Sequence, residues 1–316
     1  MRYDAFTFYS EFDLLELRLN TLNDVIDRFI LVEGDRTFSN EKKPLHFTNG
    51  RDSRFDRFMD KLTVITVTEW PEFETAWTNE AYQRNCLMAG LSNCDDDDVI
   101  VVSDLDEIPS PSAVLGYKPG SGIKALEQYM FYYAFNNLNM KDTYWYMGKI
   151  LDYRSLRHAL DNVPINNIHN PLADDGTTTP TKVRLYKTTA EDTIKNGGWH
   201  FSYLMSPEQI SHKIKIFAHQ EFNYPEFTDV DTIKKRVAEG HDLFSRRGTI
   251  FAAVPLDDRF PPYLRSNKDR FSDFILPYNP YRYWSLKIKI QLRATIRGFY
   301  KKLEKKVKKI FRPWRK

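Results

Sequence analysis

Cysteine is scarce: Cys86 and Cys94 are the only two in 316 residues. The pair carries no disulfide pattern, so a reducing cytoplasm is the expected setting. Long apolar runs are missing as well, and none approaches the ~18 residues of a membrane span. The start, Met1-Arg2-Tyr3-Asp4-Ala5-Phe6, lacks the apolar core of a secretory leader and reads as a first strand. Acids are nearly absent from residues 281–316, where Glu304 faces 14 Lys and Arg, a net of +13. The remaining 280 residues hold 32 bases against 42 acids, a net of −10, behind an overall charge of +3. Nucleic acid is an unsuitable partner for so acidic a body, and the basic tail needs its own explanation.

What is present is a chain long enough to bury a large core. Residues 3–9, 28–33 and 61–67 read as strands, separated by a leucine-rich helix through Leu22 and a loop with a short helix. A further helix over about residues 77–92 leads to a fourth strand ending at Val102. Strands alternating with helix-length connections predict an α/β fold with a mostly parallel, nucleotide-binding sheet. Beyond Pro109, strands are expected at 129–137, 144–151 and 182–186, and a surface loop at 161–181. Helices are expected from Pro207 to about 219 and over 229–240. The expected organisation is a domain over 1–280, with halves 1–109 and 110–280, and a separate tail over 281–316.

The densest chemistry lies in Asp98-Val99-Ile100-Val101-Val102-Ser103-Asp104-Leu105-Asp106-Glu107-Ile108-Pro109. A short apolar run of this kind is a strand buried on both faces, and Pro109 is expected to end its pairing. In open α/β sheets the ligand crevice lies at the carboxyl ends of the strands. Three carboxylates there repel one another unless a cation sits among them, and Mg²⁺ or Mn²⁺ is commonly held by carboxylates together with substrate phosphates. Asp104 and Asp106 are thus candidate metal and diphosphate residues; the bland alternative is a solvated acidic turn.

Several ordered motifs together resemble glycosyltransferase family 17, over about residues 6–245. They are Glu11-Phe12-Asp13-Leu14-Leu15, Val32-Glu33 with Lys43-Pro44-Leu45, Tyr82 and Arg84, Asp104-Leu105-Asp106-Glu107-Ile108-Pro109, and Gly198-Trp199-His200-Phe201-Ser202 with Pro207-Glu208. The resemblance implies a GT-A-like nucleotide-sugar-binding domain, a UDP-sugar donor (UDP-GlcNAc in the known members) and transfer with inversion. With no N-terminal anchor expected, the acceptor is read as a glycan or lipid-linked glycan at the cytoplasmic face.

Within that reading Glu33 could accept from a nucleoside or simply cap a loop. Arg84 could reach the diphosphate with its fork of donors or pair with the Asp95–Asp98 run or with Glu80. His200, beside two glycines, could complete the metal sphere or be a hydrogen-bonded structural residue. Trp199 could stack on a sugar or fill the core. Glu107 and Glu208 are the candidate general bases; the dipole of its helix would make Glu208 an ionised but weaker base. His219 and Glu221 are weaker candidates for the same cleft. The alternatives from other classes are a haloacid-dehalogenase-type phosphatase, which also uses Asp-x-Asp after a strand, and a non-catalytic membrane-docked carbohydrate-binding protein. Over 285–311, Leu292, Ile296, Phe299, Tyr300, Leu303, Val307, Ile310 and Phe311 step by three or four among lysines. That spacing predicts an amphipathic helix lying on an anionic membrane rather than crossing it.

Overall fold

The computed structural model describes residues 1–72, 75–158 and 180–311. The first four strands, β1 (Arg2–Thr7), β2 (Arg28–Gly34), β3 (Leu62–Val67) and β4 (Val99–Val102), run parallel in the order β3-β2-β1-β4. Helix α1 (Phe12–Leu22) joins β1 to β2, and α2 (His46–Gly50) lies in the β2–β3 connection. Helix α3 (Ala76–Asn85), followed by a 3₁₀ turn over Cys86–Leu91, joins β3 to β4. Leu14, Leu15, Leu17, Leu19 and Leu22 are buried against the sheet, each stabilising by roughly 1.5–3 kcal/mol relative to exposure. α3 begins at a capping box, in which Thr75 and Thr78 satisfy each other's backbone donors.

From β4 onwards the expected parallel sheet gives way to a mixed one. After β5 (Glu107–Pro109) and α4 (Pro111–Gly116) come β6 (Lys124–Tyr132), β7 (Asn137–Asn139), β8 (Tyr144–Trp145) and β9 (Lys149–Asp152). β9 pairs antiparallel with both β4 and β6, so the second half extends the sheet begun by the first. β4 is therefore flanked on both edges, and its four residues are all buried. Pro109 does not end pairing: β5 runs antiparallel to β10 (Thr193–Ser202), while β10 also runs parallel to β6. Gly198 makes that insertion possible. Its φ is +136°, and a Cβ there would sit 2.1 Å from the Ile108 carbonyl oxygen.

Two short helices lie between β9 and β10, α5 (Tyr153–His158) and α6 (Pro180–Leu185). The strand expected at 182–186 is thus replaced by helix; a Val or Tyr in so short a run does not decide between the two. The loop expected at 161–181 falls outside the described residues except for Pro180 and Thr181, which open α6. α7 (Pro207–Ile216) and α9 (Val230–Glu239) match the expected helices, with α8 (Pro225–Thr228) between them. Gly240, at φ +68°, closes α9 in the left-handed region. A last short strand, β11 (Phe251–Ala253), pairs with β7 at the sheet edge. α10 (Pro262–Ser266) follows, and α11 (Pro280–Phe311) is the long basic C-terminal helix. No described helix is long and apolar enough to cross a membrane.

Candidate active site

β4 delivers Val102 to the carboxyl edge of the sheet, and the chain turns there. Glu107 N–H donates to the Asp104 carbonyl at 3.0 Å, and Ser103 Oγ donates to the Glu107 carbonyl at 3.0 Å. β5 then departs along β10, which sets His200 opposite Glu107. Phe201 N–H secures the turn from that side by donating to the Asp106 carbonyl at 2.8 Å.

Beneath the turn lies Arg18, fully buried in the middle of α1. Its guanidinium donates to both oxygens of Asp4, at 2.6 and 2.8 Å, and to Ser103 Oγ at 2.6 Å. It also donates to the carbonyls of Asp104, Leu105 and Glu107, at 2.6, 3.1 and 3.2 Å. A buried charge is tolerated when it is paired and its donors are spent, and here the spending fixes the backbone of the acidic turn.

Above the turn two more guanidiniums converge on the acids. Arg184, from α6, donates to Asp104 Oδ2 at 2.7 Å and to Glu107 Oε1 at 2.7 Å, and its other terminal nitrogen bonds Glu107 Oε2. Arg84, from α3, bonds Glu80 at 2.5 Å and Asp104 Oδ1 at 3.1 Å. Burial alone would raise the Asp104 pKa, but Arg184 and Arg84 outweigh it and hold the carboxyl well below the usual range. Glu107 is buried and its oxygens are further engaged, by Trp145 Nε1 at 2.5 Å and by Asp104 N–H at 3.1 Å. Nearby Lys149, the first residue of β9, is buried; burial first, then the Arg184 charge, brings its pKa down to about 8.

Asp106 occupies a different position. It lies beyond the arginines, its side chain 18% exposed, with His200 Nε2 3.5 Å away. Burial would raise its pKa, but His200 and Lys213 bring it below the ordinary value. Lys213 reaches in from α7 and pairs with Glu11 at 3.4 Å. The His200 ring lies 4.9 Å from that of Trp145, and its buried Nδ1 has no hydrogen-bond partner among the described residues.

Among the described residues no three His, Cys, Asp or Glu side chains form a ready cage. Mg²⁺ and Mn²⁺ need less than that, because one or two carboxylates suffice when substrate phosphates complete the sphere. Asp106 with His200 Nε2 fits such a foothold. Asp104 would join only once its two arginines let go.

The structure separates the other sequence candidates from this cluster. Glu33 is fully buried and caps α2, accepting from Phe47 N–H, Thr48 N–H and Thr48 Oγ1. Trp199 follows the alternation of β10 away from His200 and into the core, where its indole N–H donates to the Arg259 carbonyl at 2.8 Å. Glu208 is 57% exposed and pairs with Lys234 at 3.2 Å. His219 and Glu221 pair with each other at 2.6 Å, both largely exposed. Arg84 bonds Glu80, the structural partner expected of it, and also Asp104 in the acidic turn. Sequence reasoning missed Arg18, Arg184, Lys213 and Trp145. Arg18 alone left a trace there, as a charge set among the buried leucines of one helix.

A protein-family model described as glycosyltransferase family 17 matches residues 1–158, half of the chain and the half that carries the acidic turn. The chain belongs to glycosyltransferase family 17. Three relatives carry the name beta-1,4-mannosyl-glycoprotein 4-beta-N-acetylglucosaminyltransferase. Those of Rattus norvegicus and Homo sapiens are each 26% identical over 301 residues, and that of Mus musculus 25%. In each case the alignment covers 88% of this chain and 55% of the relative. The chain thus spans about half the length of these relatives. Arg184, His200 and Lys213 fall beyond the stretch matched by the family model.

Proposed function

We propose that the protein is a metal-dependent, inverting glycosyltransferase of GT-A type that moves a sugar, GlcNAc first among the candidates, from a UDP-sugar to a glycan or lipid-linked glycan. The observation that carries this reading is the Asp104–Asp106 turn at the carboxyl end of β4, ringed by Arg84, Arg184 and Lys213 in a family 17 chain. Cations at that edge suit a diphosphate, and a bound Mn²⁺ or Mg²⁺ would neutralise charge on the departing UDP. Asp106 and His200 would hold that ion. Arg84 and Lys213 would draw in and orient the diphosphate. In the displacement the acceptor oxygen bonds the anomeric carbon, the bond from that carbon to UDP breaks, and the hydroxyl proton passes to a carboxylate. Glu107 is the nearer of the two candidate bases to the turn. Asp106→Asn tests the reading. It should abolish Mn²⁺-dependent hydrolysis of a UDP-sugar and Mn²⁺-dependent UDP binding, while leaving the thermal midpoint of the metal-free protein near wild type. Undiminished turnover would remove Asp106 from the site, and turnover of p-nitrophenyl phosphate instead would favour the phosphatase alternative.

We further propose that α11 rests on an anionic membrane at the cytoplasmic face. Trp284, Ile288, Leu292 and Ile296 lie at four-residue spacing on this helix and are each more than half exposed. They stand in a segment of net charge +13. An apolar stripe edged with Lys and Arg suits the interface plane, and each cation near an anionic surface contributes about 1 kcal/mol. The full chain should sediment with phosphatidylserine vesicles at ~0.1 M salt and not with neutral ones. Leu292→Asp with Ile296→Asp should weaken that binding on the order of tenfold or more without altering UDP-sugar hydrolysis. Equal binding to neutral vesicles would defeat the electrostatic reading.

A further inference from the structure

We infer that Arg184 is an exchangeable counter-ion of the acidic turn, holding Asp104 and Glu107 while the donor site is empty and passing to the donor's diphosphate when it fills. The inference rests on the UDP-sugar reading above and gives that site a residue with two alternative partners. Its first support is geometric. Arg184 spends its terminal nitrogens on two carboxylates with proposed work elsewhere, Asp104 at the metal and Glu107 as a candidate base. Carboxylate and phosphate present the same two-oxygen edge to a guanidinium fork, so one can replace the other without a change of side chain.

The second support is electrostatic crowding. Arg184 shares its corner with Arg84, which also bonds Asp104, and with buried Lys149. Its retention beside two like charges depends on Asp104 and Glu107 staying free as acceptors. A cation arriving at Asp104 would remove one of those acceptors, and a diphosphate arriving with it would offer a stronger one. The third support is attachment. α6 is a six-residue helix tied to α3 by Thr181, whose N–H donates to Asn85 Oδ1 at 3.1 Å and whose Oγ1 donates to the Ala81 carbonyl at 3.2 Å. The backbone of the turn, in contrast, is held from below by Arg18. Release of Arg184 therefore leaves the turn in place.

The exchange makes an unusual demand, because one substitution must move two affinities in opposite directions. Mn²⁺ binding to the full chain without nucleotide, followed by electron paramagnetic resonance, should tighten about tenfold in Arg184→Ala, since the nearer of the two arginine competitors for Asp104 is gone and Arg84 keeps Glu80 as a partner; UDP binding at saturating Mn²⁺, followed by calorimetry, should weaken about tenfold with loss of a charged hydrogen-bond donor. Arg184→Lys, which keeps the charge and loses the fork, should fall between wild type and Arg184→Ala in both measurements. Weaker Mn²⁺ binding in Arg184→Ala, or a UDP loss with Mn²⁺ affinity unchanged, would overturn the exchange. If Arg184→Ala loses its cooperative thermal transition, the same two titrations on Arg184→Lys decide, and unshifted affinities there overturn it. A wild-type chain that binds no UDP with Mn²⁺ present would defeat the donor reading itself, and this inference with it.

Discussion

Arg18 and Arg184 grip the same acidic turn from opposite sides, and they do so under different conditions. Arg18 sits in the middle of an eleven-residue helix, is fully buried, and has six acceptors around it, three of them backbone carbonyls. Arg184 sits on a six-residue helix, bonds only side-chain oxygens within the turn, and divides its donors between buried Glu107 and an Asp104 side chain that is 30% exposed. One guanidinium is built into the floor of the site. The other sits toward its mouth, where solvent reaches Asp104. The lesson is that two Arg–Asp pairs of similar length do different jobs, decided by what else each guanidinium touches and by whether solvent reaches the acid.

The largest effect that would break this contrast is on the floor. Arg18→Leu leaves the Asp4 carboxylate buried without a counter-charge and removes one donor from each of three carbonyls of the turn. Removing one partner of such a pair costs about 3–5 kcal/mol, enough to approach the whole stability of many domains. Chemical denaturation of the metal-free protein should show a loss of that size, and Arg184→Ala a smaller one, because Trp145 Nε1, the Asp104 N–H and Lys149 remain beside the buried Glu107 carboxylate. Comparable losses for the two variants would erase the distinction between floor and mouth.

How much of this was legible beforehand follows from which signals are local. The buried strand Val99–Val102 and the carboxylates after it could be read directly, because an apolar run ending in acids is a property of adjacent residues. The left-handed stop at Gly240 and the proline-led start of α7 were legible for the same reason. The change from parallel to antiparallel pairing after β4 was not, because strand direction is set by which distant segment arrives alongside. Trp199 and His200 show the limit well. Sequence put both at the site, and the alternation of β10 sends one to the core and the other to Asp106. Arg184 gave no signal, since its partners lie 77 and 80 residues away and its segment reads equally as strand. Glu208 stands out in the sequence for its place at a helix start, but that start faces solvent and Lys234.

The smaller test sharpens the comparison at the mouth through pH. The Asp104 carboxyl is held well below its ordinary range, burial being outweighed by Arg184 and then Arg84. A carboxylate with a depressed native pKa contributes stability above its unfolded pKa of ~3.9, and that contribution disappears as pH falls through the native value. Asp104→Asn removes the charge at every pH. The thermal midpoint of wild type should therefore exceed that of the variant near neutrality by a margin on the order of 1 °C, as suits one partly exposed pair in a chain of this size. The margin should persist down to about pH 4 and narrow below it as the wild-type carboxyl gains its proton. Both proteins are compared with chelator present, so that no ion competes with the arginines. A margin unchanged between about pH 7 and about pH 3 would mean that the arginines hold the shape of residue 104 and not its charge, and the mouth would then be as fixed as the floor.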